Sequence, residues 1–290
     1  MKWIDYERPS TVEETLEILS KHGDKARMLA GGTDILVQLR GGRWATDVLV
    51  DGKGIKELNE LSFDKQKGLI VGAAVPCYKI YGDKEIAAAY PGLIDSAAMI
   101  GGIQIQGRAT FGGNLCNAAP SADAIPAMVA HHGVATVAGP KGRRDVKVED
   151  FCTAPGKSVL AEDELVVNIK FPAPPEGFGA NYIRFIPRNE MDIAVAGAGV
   201  SVELADGKVK DARVTLAAVA PTPLFVEAAG EALKGKTPDA AAIQIAAEIA
   251  GKTAKPISDM RGTAEFRTHL CEVLTRRALE TAVNRARGGN

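Results

Sequence analysis

The residue pattern predicts an α+β architecture in two domains, on three observations. Strand-like and helix-like segments mix through about residues 1–175 without the regular alternation of a parallel βαβ fold. Three consecutive strands follow, and after them only helices. Between the two stretches lies "PAPPEGFG" at 172–179, with three prolines and two glycines in eight residues, the composition of a semi-rigid connector. A length of 290 residues suits about two domains.

The elements read as follows. "KWIDYERP" (2–9) is extended and ends at Pro9. Ser10 followed by Glu13 has the capping-box pattern, Val12, Leu16 and Leu19 share one helical face, and Gly23 suits the stop. "ARMLA" (26–30) is a short buried strand that delivers the chain to Gly31 and Gly32. "TDILVQLRGG" (33–42) reads as a short helix with Thr33 as its cap, and "DVLVD" (47–51) as a strand. "GLIVGAAV" (68–75) continues as strand. "DKEIAAAYPGLIDSAAMIGG" (83–102) is helix-prone but broken at Pro91-Gly92. "AIPAMVAHHG" reads as helix, "VATVAG" as strand, "PKG" as a turn and "RRDVKVEDF" as the returning strand, with "ELVVNIKFP" as a strong strand ending at Pro172. Beyond the connector come "ANYIRFI", "DIAVAGAGVSVEL" and "ARVTLAAVAP", the last two joined by an "ADGK" hairpin turn. "LFVEAAGEALKG", "DAAAIQIAAEIAG" and "AEFRTHLCEVLTRRALETAVNRAR" read as helices.

Several function classes drop out. A net charge of −1 gives no broad field toward nucleic acid or anionic lipid. The start lacks the apolar core of a signal peptide, and no apolar run is long enough to span a bilayer, so a cytoplasmic protein is expected. Cys77, Cys116, Cys152 and Cys271 are spaced for neither a zinc set nor an iron–sulfur cluster, and read as free thiols in a reducing compartment. There is no P-loop. Gly197-Ala198-Gly199 lacks the third glycine of a dinucleotide fingerprint, since position 202 is Val202, and close strand packing explains the pair better. His131-His132 reads as a surface helix end, and the arginines of the C-terminal helix as a solvated face.

Two stretches carry chemistry: "AGGTDIL" at 30–36 and "TFGGNLCNAAPSAD" at 110–123. Each holds a Gly-Gly pair beside a threonine. A pyrophosphate can be held by main-chain N–H groups aimed into a concave turn, and glycine permits both the close approach and a positive φ. Thr33 in the first turn, and Thr110 and Asn114 in the second, can complete the hydrogen bonds. A helix starting after the first turn would add partial positive charge. The two stretches together are read as gripping one extended anionic nucleotide cofactor from both sides; the residues do not say which.

"AGGTDIL", "IGGIQIQGRATFGGNLCNAAPSAD", "ELVVNIKFP", "YIRFIPRNEMDIAVAGAGV" and "ISDMRGTAEFRTHL" resemble, in this order and over essentially the whole chain, the FAD-binding medium subunit of molybdenum hydroxylases of the xanthine dehydrogenase and carbon monoxide dehydrogenase type. The resemblance implies an FAD-binding domain of the vanillyl-alcohol-oxidase (PCMH) type over about 1–175, in subdomains of about 1–55 and 56–175. It further implies a C-terminal domain over 180–287 with a three-stranded antiparallel sheet and helices. It implies non-covalent FAD here. The molybdenum cofactor and [2Fe-2S] clusters would be confined to a large and a small partner subunit, in a heterotrimer or a dimer of heterotrimers.

By the same resemblance, Leu29, Ala30, Gly31, Gly32, Thr33, Asp34 and Ile35 line the pyrophosphate and ribityl region, and Thr110, Gly112, Gly113 and Asn114 form the second phosphate loop. Asp123 matches an acidic residue able to accept from ribityl or ribose hydroxyls or from the flavin N3–H; read locally, it is equally a helix N-cap. Ile100, Val166 and Ile193 fall where the family packs apolar side chains near the isoalloxazine. Arg184 matches a position where relatives often carry lysine, where a cation stabilises the anionic reduced ring. The implied role is passage of electrons from partner clusters through FAD to an external acceptor, with no general base, nucleophile or metal ligand in this chain. The alternative is a free-standing NADPH-dependent FAD reductase of similar fold.

Overall fold

The computed structural model describes residues 3–289; Lys2, the first residue of the expected N-terminal strand, lies outside them. The chain opens with a small parallel sheet. Strands β1 (Asp5–Glu7), β2 (Ala26–Leu29) and β3 (Val48–Asp51) lie in the order β1-β3-β2, with β3 fully buried in the middle. Helix α1 (Val12–His22) makes the crossover, burying Val12 and Leu19. Its cap is Thr11, one residue later than the sequence pattern suggests. The Glu14 N–H donates to Thr11 Oγ1 at 3.1 Å, and Glu14 Oε2 accepts from the N–H and hydroxyl of Ser10. Helix α2 (Ile35–Arg40) follows β2.

A five-stranded antiparallel sheet comes next. Its strands are β4 (Leu61–Asp64), β5 (Gly68–Gly72), β6 (Val134–Gly139), β7 (Gly142–Lys147) and β10 (Leu165–Phe171), in the order β4-β5-β10-β6-β7. The hairpin β8 (Cys152–Ala154) and β9 (Lys157–Ser158) stands apart. Strand β10 is central and almost wholly buried, as its unbroken apolar run dictates. Between β5 and β6 the chain forms α3 (Cys77–Gly82), α4 (Lys84–Ala89), α5 (Pro91–Ala97), α6 (Ile103–Gln106), α7 (Phe111–Asn117) and α8 (Ala124–Ala130). Pro91 does break the helical stretch, and opens α5 as its first residue. One apolar core runs through both sheets, from Val12, Val48 and Val50 to Leu69, Val137 and Ile169.

The last third has its own core. Strands β11 (Phe178–Phe185), β12 (Ala196–Ala205) and β13 (Lys208–Ala217) form the antiparallel sheet, extended by the two-residue β14 (Leu224–Phe225). The β12–β13 hairpin turns through Asp206 and Gly207, both at positive φ (51° and 75°), the geometry a two-residue turn needs. Helices α9 (Glu227–Glu231), α10 (Ala240–Thr253) and α11 (Ala264–Ala286) cover it. Gly199 lies against the backbone of Pro126, where a Cβ would sit 2.6 Å from the carbonyl, so this glycine serves packing between the domains.

Two polar groups correct the sequence reading. Arg285, expected on a solvated face, reaches across from α11. It donates to Asp95 at 2.6 and 3.1 Å and to the Ala180 carbonyl at 2.7 Å, while Asn181 donates to the same carboxylate at 2.6 Å. Asp95 thereby ties α5 to β11 and α11.

His131, expected at the surface, is 2% exposed and packs between the rings of Tyr90 and Phe178, because α8 runs under the second domain. Burial pushes its imidazole down to about 3, with the charges of His132 and Arg285 acting the same way. The folded value lies below the unfolded one of about 6.5, so protons bind the unfolded chain in preference. Stability is complete above pH 6.5 and declines as pH falls toward 3. We expect about 2–3 kcal/mol of unfolding free energy to be lost between pH 6.5 and 4.5. His131→Phe should flatten that part of the curve in urea titrations; an unchanged slope would mean the imidazole stays solvated.

Candidate functional site

The first glycine stretch leaves the end of β2. Gly32 has φ +84°, a conformation side chains other than glycine rarely take. Gly31 is needed for a different reason: a Cβ there would overlap the Arg108 carbonyl oxygen. The contact is fixed by Arg108, whose Nε donates to the Gly31 carbonyl at 3.2 Å. Among the described residues, the N–H groups of Gly32, Thr33 and Asp34 donate to no protein acceptor. Leu29 is buried at the base of the turn, and Ala30, Thr33 and Ile35 are half-buried along it. Thr33 does not cap the helix. Asp34 holds the N-cap position without a side-chain bond, and α2 starts one residue later than a Thr33 cap implies, since the chain is still turning at Thr33.

The second stretch is not a turn. Thr110 is the N-cap of α7, its Oγ1 accepting from the Gly113 N–H at 2.8 Å, and both Gly112 and Gly113 lie in the helix's first turn with ordinary helical φ. Glycine is required at 112 by proximity: a Cβ would stand 2.5 Å from the Ala73 carbonyl oxygen, where α7 lies against the chain leaving β5. Asn114 Oδ1 accepts from the Ala124 N–H at 3.1 Å and so caps α8. That leaves Asp123, which occupies the N-cap position of α8, without a capping role.

The carboxylate of Asp123 turns instead toward the second domain. It is 7% exposed; Oδ1 accepts from the Tyr182 hydroxyl at 2.7 Å and Oδ2 from Arg184 Nη1 at 2.6 Å. Tyr182 and Arg184 are two apart on β11 and therefore share a face. Burial pushes the Asp123 carboxyl up to about 6, against the pull of the Arg184 charge and the two hydrogen bonds. The Tyr182 hydroxyl is driven well above its usual range by burial and by the neighbouring carboxylate.

The Arg184 side chain, only 6% exposed, lines a cavity of about 300 Å³ with Met99, Gly101, Gly102, Gln106 and Ile186. Ile100 lies in the same turn and is buried in the first core, as is Val166 on β10, whereas Ile193 is 50% exposed on the segment leading to β12. Gln106 was not singled out by the sequence. Its Nε2 donates to the carbonyls of Ala98 and Ile100 and so shapes the cavity wall; an isolated glutamine carries no signal of that in sequence.

The two glycine-bearing segments, nearly eighty residues apart, are thus side by side, with Gly31 on Arg108 and α7 starting three residues further on. Unclaimed N–H groups, backbone-close glycines and a cation at a cavity fit a flavin dinucleotide: donors for a diphosphate, and a positive charge for a ring that becomes anionic on reduction.

Comparison with known proteins agrees. Residues 2–174 match the family model of the FAD binding domain in molybdopterin dehydrogenase, and residues 181–282 that of the CO dehydrogenase flavoprotein C-terminal domain. The chain is 33% identical to the carbon monoxide dehydrogenase medium chain of Afipia carboxidovorans, over 98% of both proteins. It is 30% identical to the xanthine dehydrogenase FAD-binding subunit of Escherichia coli O157:H7, over 99% of this chain and 98% of that one. Its structure superposes on carbon monoxide dehydrogenase from Hydrogenophaga pseudoflava with a TM-score of 0.94, at 31% identity and 98% coverage of each chain.

Proposed function

Because this chain belongs to the family of FAD-binding medium subunits of the xanthine and carbon monoxide dehydrogenases, we propose that it carries electrons, within a molybdenum hydroxylase, from partner [2Fe-2S] clusters through FAD to an external acceptor. It is the flavoprotein component of a molybdenum-dependent oxidoreductase. Substrate hydroxylation belongs to a large molybdopterin subunit and cluster transfer to a small iron–sulfur subunit, as in a heterotrimer or its dimer. The observation that supports this reading most directly is the contact of the first glycine segment, at Gly31, with Arg108, two residues before the second.

The flavin, when bound, supplies exchange of one or two electrons. The chain's residues bind and tune it. Main-chain N–H groups around Gly32 and the first turn of α7 hold the diphosphate, Leu29 to Ile35 and Thr110 to Asn114 forming the two sides. Arg184 places a guanidinium at the ring cavity, and Asp123 holds that guanidinium in place. Ile100 and Val166, both buried, would back the ring region with apolar core, and the half-exposed Ile193 would flank it. Residues 1–175 form the cofactor domain and 180–287 the domain that delivers Arg184. No described helix is long and apolar enough to cross a membrane.

The test is purification from native cells. The expected result is co-purification with two partner chains, one FAD per copy of this chain, and molybdenum and iron in the complex. A colourless chain with neither partner would overturn the reading, and NADPH oxidation by the isolated chain would replace it with a free-standing reductase.

A further inference from the structure

The two cradle segments are joined a second time, away from Gly31. On α2, Gln38 Nε2 donates to Asn117 Oδ1 at 2.9 Å; Asn117 is the last residue of α7. Gln38 Oε1 in turn accepts from Trp44 Nε1 at 2.9 Å, so both ends of the amide are engaged and its orientation is set. The indole is itself held: the guanidinium of Arg27, on β2, lies 4.7 Å from its ring centroid and that of Arg43 5.2 Å. Each cradle segment has its own helix, α2 after the first and α7 within the second. The Gly31–Arg108 contact pins the segments at the start of these helices, and Gln38–Asn117 pins the helices further along. One pin leaves a hinge; two fix the spacing.

We propose that Gln38 is a positioning residue for the cofactor. Through Asn117, and oriented by Trp44, it holds the two diphosphate-binding segments at the separation a dinucleotide requires, without touching the ligand. This rests on the assignment of those segments to FAD. A cradle held open at the right width loses no freedom on binding, which is where its contribution to affinity comes from.

The experiment measures the FAD dissociation constant of the full chain by flavin fluorescence, together with the melting temperature of the flavin-free protein. It covers wild type, Gln38→Ala, Asn117→Ala, the double variant and Trp44→Phe. Each alanine variant should weaken FAD binding about fivefold to tenfold, the scale of one hydrogen bond. The double variant should be no weaker than Gln38→Ala, which by itself already removes the Gln38–Asn117 bond. Trp44→Phe keeps the stack under the arginines but loses the donor, and should fall between. The flavin-free melting temperature should fall by no more than a few degrees, the scale of one hydrogen bond in the fold. Affinities within twofold of wild type, single effects that multiply in the double variant, or a melting temperature that falls by much more than this would overturn the brace. A wild-type chain that takes up no FAD overturns the functional reading and the brace together; tight binding by wild type and variants alike overturns only the brace.

Discussion

Gly32→Asp should empty the protein of flavin. The turn holds residue 32 at φ +84°, and the atoms nearest to an added Cβ belong to two leucine side chains, Leu29 and Leu36, which can move. A carboxylate there would stand beside the diphosphate. Two like charges about 4 Å apart at an effective dielectric near 20 repel by about 4 kcal/mol. That is roughly three orders of magnitude in affinity. The matched control is Gly32→Asn, which has the same shape and tolerates positive φ as aspartate does, but carries no charge. Flavin per chain, read from the visible spectrum against protein, should be near zero for the aspartate variant and substantially retained for the asparagine one. Equal retention in both would show that the first turn is not at the phosphates.

Gly31→Ala should be the most damaging single methyl in the site. The added Cβ would overlap the backbone carbonyl of Arg108, which cannot rotate aside as a side chain can. The two segments must separate, and the Arg108–Gly31 hydrogen bond is lost with the contact. Overpacking of this kind costs about 1–3 kcal/mol, and the broken bond adds about 1. Urea unfolding of the flavin-free chain should therefore shift by about 3 kcal/mol, and FAD affinity should drop at least tenfold. Gly42→Ala gives the comparison: it too has positive φ (+70°), but a Cβ there meets nothing within 4 Å. It should show only the modest cost of the backbone conformation. If Gly31→Ala behaves like Gly42→Ala, the close approach of the two segments is not a feature of the folded protein.

Much of this architecture was readable from local pattern. The alternating and unbroken apolar runs gave strands at β5, β6, β10 and β11–β13, the Pro-rich connector separated the two cores, and Asp206-Gly207 marked its hairpin. Local pattern erred by one residue where caps compete. Ser10 and Thr11 are chemically equivalent candidates, and only the chain's path chose Thr11 for the cap while giving Ser10 to Glu14. Strand β4 was missed, because "LSFD" is too short to show a period.

The site was legible as composition but not as geometry. Gly-Gly beside Thr reads alike in both segments, yet one pair bends through positive φ and the other begins a helix. Asp123 reads as a flavin contact by resemblance and as an N-cap from its local sequence; the structure gives the cap to Asn114, because Tyr182 and Arg184 arrive from β11 to claim the carboxylate. Neither strand nor cap pattern announces a partner sixty residues away.

The amino-acid sequence alone determined the mixed α+β class, the two-domain division, the glycine segments and the family, since each rests on neighbouring residues or on their order along the chain. Only the tertiary structure decided that Gly31 meets Arg108, that Gln38 meets Asn117, that His131 is buried and that Arg285 closes on Asp95. These pairings join residues tens to nearly two hundred positions apart. They depend on which surfaces the packed cores bring into contact, and no periodicity or propensity records such a distance.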